Sequence, residues 1–199
     1  MGLPKPGFEA QWNAVMAKVY ADEPIGGEEG QAFMDNAYMA CETLDAPVVG
    51  KDEAANAWAL KAIRRRDGES EEALIERAVG YRVLELVRDD CDGLSKYSAC
   101  GMGHVDETSL RGEFLRECED VVPEAVLERA WNVMSPREAV AYGDTLAAIV
   151  TQLKRKHGHP KLNPDGETFE MADKIDFLDE AARWYRFWGG QGHPIEADY

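Results

Sequence analysis

The chain has 199 residues, of which 45% are hydrophobic and 30% charged, and its 38 acids outweigh 22 bases to leave a net charge of −16. That length suits one domain with a sizeable core, and the balance is globular rather than disordered. So negative a chain is repelled by phosphate backbones and anionic membrane surfaces, so direct nucleic-acid and membrane binding are not expected.

Apolar residues recur at helical spacing along the chain and no run alternates, which predicts an all-α fold. The expectation is a single-domain helical bundle of about eight helices over 1–199. The first helix is expected over about 7–21, with Phe8, Trp12, Val15, Met16 and Val19 on one stripe. The second follows Gly26-Gly27, where Glu28 and Glu29 suit a helix N-terminus; its core face would be Phe33, Met34, Ala37, Cys41 and Leu44. A third, over about 52–66, carries Ala54, Trp58 and Ile63 and closes on Arg64-Arg65-Arg66. After the turn signal Asp67-Gly68, Ser70 caps a fourth helix expected to run to about Val87.

An irregular Gly- and Cys-containing loop is expected near residues 89–107, then helices over about 107–119 and from Pro123 to Met134. Ser135-Pro136-Arg137-Glu138 combines a capping box with proline at the first helical position. The helix it starts, to about His157, is apolar over more than half its circumference and belongs in the middle of the bundle. The last helix is expected over about 167–188, ending at Gly189-Gly190 and leaving a short flexible tail, 189–199.

The cysteines, Cys41, Cys91, Cys100 and Cys118, form no close pair, and the opening residues lack the apolar stretch of an export signal. Reduced thiols in a cytoplasm are therefore the expectation. Cys91, Cys100, His104 and Cys118 fall within 28 residues and could supply the soft ligands zinc prefers. Their loose spacing makes buried or loop residues the simpler use, so no cofactor is expected, with zinc as the alternative.

Glu85, Cys100 and His104 lie at a spacing similar to that of the Glu, Cys and His of the alkyl hydroperoxidase D and carboxymuconolactone decarboxylase superfamily, which is also all-helical. The resemblance covers residues 85–104. It implies a thiolate at Cys100 activated by His104 as base. The sequence departs from that pattern at Tyr97, where the redox members carry a second cysteine, and in the polar stretch Arg88–Gly93.

Glu167, Glu170, Asp173, Asp176, Asp179 and Glu180 step by about three residues, which drifts around a helix and makes a solvated belt rather than a cation site. Arg64–Arg66 and Lys154–Lys156 complement helix C-termini. In Arg183-Trp184-Tyr185-Arg186-Phe187-Trp188, the stripe Phe177, Ala181, Trp184 and Trp188 accounts for two of the rings. Tyr185 and Phe187 are left over, and exposure as interface anchors is expected for them.

The charge is uneven: residues 1–50 hold eight acids and two bases, and residues 101–150 hold ten and four. The functional expectation is a non-enzymatic acidic protein that binds another protein with a basic surface, as adaptor, inhibitor or assembly component, with a DNA-mimic-like face and homo-oligomers as variants. The alternative is a small helical metal- or thiol-dependent enzyme centred on Cys100 and His104.

Overall fold

The computed structural model describes residues 2–88, 94–98, 112–158 and 169–196, with backbone alone for 112–114. The fold is all-α. Among the described residues the helices are α1 (Glu9–Tyr20), α2 (Gly27–Asp35), α3 (Glu53–Ala62), α4 (Glu71–Arg77), α5 (Glu124–Arg129), α6 (Pro136–His157) and α7 (Met171–Gly190). Tighter 3-10 turns cover Ala40–Thr43, Leu84–Leu86 and Gly112–Cys118. A two-stranded antiparallel pair joins β1 (Leu3–Pro4) to β2 (Ala37–Tyr38), with Leu3 opposite Tyr38.

The long helices α6 and α7 form an antiparallel pair around which the main core is built. Glu138 N–H donates to Ser135 Oγ at 3.4 Å and Ser135 N–H returns to Glu138 Oε2 at 2.8 Å, so α6 begins at the capping box read from the sequence. Tyr142, Leu146, Val150 and Leu153 of α6 share one buried cluster with Ile175, Leu178, Ala181, Trp184, Tyr185 and Trp188 of α7. Gly143 and Gly189 let the backbones approach: a Cβ on Gly143 would lie 2.7 Å from the Ala182 carbonyl oxygen, and one on Gly189 2.7 Å from that of Pro136. Arg186 meets Asp144 at 2.7 Å and Lys154 meets Asp179 at 3.3 Å, fixing the antiparallel register along the flanks.

A second, smaller buried cluster joins Ala55 and Ala59 of α3 to Leu74 and Ala78 of the α4 end, with Val49 and Val83. Ser70 caps α4 as expected, accepting from Ala73 N–H at 3.2 Å. The helix stops at Arg77, however, short of the expected Val87. Gly80 adopts φ 91°, and beyond it Arg82 exchanges backbone hydrogen bonds with Ser98 at 2.8 and 2.9 Å while Val83 N–H donates to Pro47. Long-range backbone pairing here overrides helical periodicity.

Similar shortening occurs elsewhere. α2 ends at Asp35 because Ala37–Tyr38 is recruited into β2, and Cys41 sits on the following 3-10 turn. Arg64–Arg66 lie past the end of α3, whose cap is Ile63. Of the expected helices at 107–119 and 123–134, the described residues show a 3-10 turn, Gly112–Cys118, and α5. The loop 89–107 falls largely outside the described residues.

The chain end also differs from expectation. α7 continues through both glycines to Gly190, and residues 191–196 pack back onto the molecule. Met134 and Ile195 exchange backbone hydrogen bonds at 2.8 and 2.9 Å, and His193 and Ile195 are buried. Residues 197–199 lie outside the described set.

Candidate functional site

Glu85, the one described member of the thiol-enzyme set, is held by the fold. The Trp58 indole N–H donates to its Oε2 at 2.6 Å, and Lys96 Nζ lies 3.3 Å from its Oε1. Those donors, with Trp58 foremost, hold its carboxyl below the usual range, so it remains an anion tying α3 to the segment after α4. Cys100 and His104 lie outside the described residues.

Of the zinc set, Cys91, Cys100 and His104 also lie outside. Cys118 is a free thiol at the end of its 3-10 turn, packed in the main core. Burial pushes its pKa up to about 12, so it stays protonated. Cys41 is disulfide-bonded, which corrects the expectation of four reduced thiols. Since Cys118 is free, the partner of Cys41 lies outside the described residues.

Two residues beyond Cys41, Thr43 ties its turn to the far end of the chain. Thr43 Oγ1 donates to the Ala40 carbonyl at 2.7 Å and lies 2.8 Å from His193 Nε2. The imidazole is buried and stands edge-on to Trp188, with centroids 4.9 Å apart. His193 thus clasps the C-terminal segment to the turn that carries Cys41.

The aromatic end of α7 is core. Trp184 and Trp188 are buried as their stripe predicts, but Tyr185 is buried too, against Tyr142 at 4.7 Å and Trp184 at 5.1 Å. Tyr185 is therefore no exposed anchor: neighbouring α6 reaches the flank of α7 that a single stripe leaves open. Phe187 is half-buried and packs against the same cluster. Within the acidic belt, Asp173 accepts from Glu170 N–H at the helix start, and Asp179 takes both Arg183 and Lys154.

The exposed feature that sequence reasoning missed is the N-terminal hairpin, α1 and α2. The inner face of α2 is spent on α1: Phe33 stacks on Trp12 at 4.3 Å, and both Glu29 oxygens lie 2.7 Å from Lys18 Nζ. Not one residue of α2 is fully buried. Met34, expected in the core, is 66% exposed, the highest value among the large apolar side chains described. Its position follows from the early end of α2, since a two-turn helix that buries Phe33 must turn Met34 about 100° away. The signal available in the sequence was the pair Gly27 and Gly30, which weaken a long helix here.

The two lysines of residues 1–50 are both occupied. Lys18 is neutralised by Glu29, and Lys5 Nζ donates to the Asp35 carbonyl at 2.7 Å while lying 5.9 Å from the Tyr38 ring centre. Asp22, Glu23 and Glu28 are exposed and form no ion pair among the described residues. No protein-family profile, curated protein or solved structure matches this chain.

Proposed function

We propose that the chain is a non-enzymatic acidic helical protein that binds another protein through a basic surface on that partner, as an adaptor, inhibitor or assembly component. The observation that carries this reading is the state of the N-terminal hairpin. Residues 1–50 hold eight acids against two lysines that are already engaged, so Asp22, Glu23 and Glu28 of the hairpin project an uncompensated negative field beside exposed apolar side chains. Charges of one sign on a rim steer a partner of the opposite sign and set its register, while neighbouring apolar groups supply contact area.

No described helix is long and apolar enough to cross a membrane. The disulfide at Cys41 supports maturation in an oxidising compartment in preference to the cytoplasm expected from the sequence.

The test is capture on immobilised full-length protein, followed by purification of what is retained and measurement of its affinity. A retained basic protein should bind with an affinity that falls steeply with salt. It should bind more weakly to the triple variant Asp22→Asn, Glu23→Gln, Glu28→Gln. Binding that ignores both salt and that variant would remove the reading.

A further inference from the structure

We infer that the outer face of α2 is a docking site for a basic amphipathic helix of the partner; this rests on the protein-binding reading above and specifies where and by what the contact is made. Gly27, Gly30 and Met34 are spaced three and four residues apart and so share one side of the helix. Ile25 lies against the middle of that side, because a Cβ on Gly30 would lie 3.6 Å from its Cγ2. Space above Gly26 and Gly27 is open: a Cβ on either would meet nothing within 4 Å. The strip therefore carries two apolar side chains, Ile25 beside Gly30 and Met34 beyond it, with open backbone at Gly26 and Gly27.

Open backbone at Gly26 and Gly27 permits the close approach that a packed helix needs, and Ile25 and Met34 supply the apolar contacts such a helix would cover. The acids decide the occupant. Glu28, Gln31 and Asp35 lie along one flank of the strip, and Asp22 and Glu23 sit just before it, all of them exposed. Gln31 donates to Asp35 at 2.9 Å, and no cation among the described residues pairs with Glu28 or Glu23. An acidic or neutral helix would gain nothing from this rim. A helix with apolar residues at three- and four-residue spacing and lysine or arginine along one side matches both features. Nine residues of α2 offer a contact about 13 Å long, which suits two to three turns of the partner.

The test uses two labelled peptides of about 15 residues, long enough to become helical on binding. One is a leucine–lysine sequence with its leucines on a single helical face. The other is its scramble, with the same composition and charge. By fluorescence anisotropy the amphipathic peptide should bind the full-length protein at least about tenfold more tightly than the scramble. Met34→Gln should remove most of that difference while Val79→Gln, at an exposed apolar residue of the α4 end, should leave it intact. Neither side chain is buried, and circular dichroism verifies that both variants fold. Equal binding of the two peptides would overturn the inference yet leave a charge-driven partner in place. So would a difference indifferent to Met34→Gln, and so would failure of both peptides to bind. The broader reading stands or falls separately, on the captured protein and its salt dependence.

Discussion

Gly143 of α6 lies so close to Ala182 of α7 that an added methyl group would sit 2.7 Å from the Ala182 carbonyl oxygen and 3.1 Å from the Arg186 nitrogen. Both neighbours are backbone and cannot rotate away. Gly143→Ala should therefore destabilise the protein by about 1–3 kcal/mol, even though alanine is the better helix former. Gly190→Ala, in open space at the end of α7, should be neutral or mildly stabilising. Urea melts of the two variants check the contrast; equal effects would mean that the helices are not in close contact at Gly143.

The aromatic end of α7 gives a second test of packing. Tyr185 lies in the main core, so Tyr185→Ala should cost about 3 kcal/mol or more, measured by thermal or denaturant unfolding. Self-association of the folded fraction, followed by light scattering, should not change. Loss of association without loss of stability would instead restore Tyr185 as an interface anchor.

What the sequence made legible, and what it did not, divides along a physical line. The start of α6 was readable because Ser135, Pro136 and Glu138 act within one turn. The burial of Trp184 and Trp188 was readable because their helix is long enough for a stripe to have meaning. The end of α4 at Arg77 was not, since it depends on Arg82 pairing with Ser98 and Val83 with Pro47, contacts that no local pattern encodes. The candidate site was hidden for the same reason. Met34 reads as core in an unbroken helix, and it is the pairing of Ala37–Tyr38 with Leu3–Pro4 that ends α2 early and leaves the residue outside.

The cysteines should report the disulfide directly. In unfolding conditions without reductant, two of the four thiols should react with a thiol reagent, and all four after reduction. In the native protein Cys118 should resist modification, because it is buried and its pKa is pushed up to about 12. Four reactive thiols in the unreduced protein would place Cys41 in its reduced form and remove the support for an oxidising compartment.

Acid stability should show the pair between Glu69 and Arg77. Arg77 donates to both Glu69 oxygens, at 2.8 and 2.9 Å, and the Arg66 backbone N–H adds a third bond. Together they lower the Glu69 pKa from 4.5 to about 2. A depressed carboxylate stabilises the fold above its ordinary pKa and loses that contribution as pH falls toward the folded value. Glu69→Gln should thus be less stable than the parent at neutral pH, with the gap closing between about pH 4.5 and 2. A gap that stays constant through this window would show that the ion pair adds nothing.

The central claim is that the outer side of the N-terminal hairpin meets a basic partner. Amide hydrogen exchange, measured on the full-length protein with and without the purified partner retained in the capture experiment, tests it most directly. Binding should slow exchange in α2 and in the segment from Asp22 to Gly26 leading into it, and should leave the core of α7 unchanged. Protection confined to other parts of the chain, with residues 22–35 exchanging as in the free protein, would contradict the account.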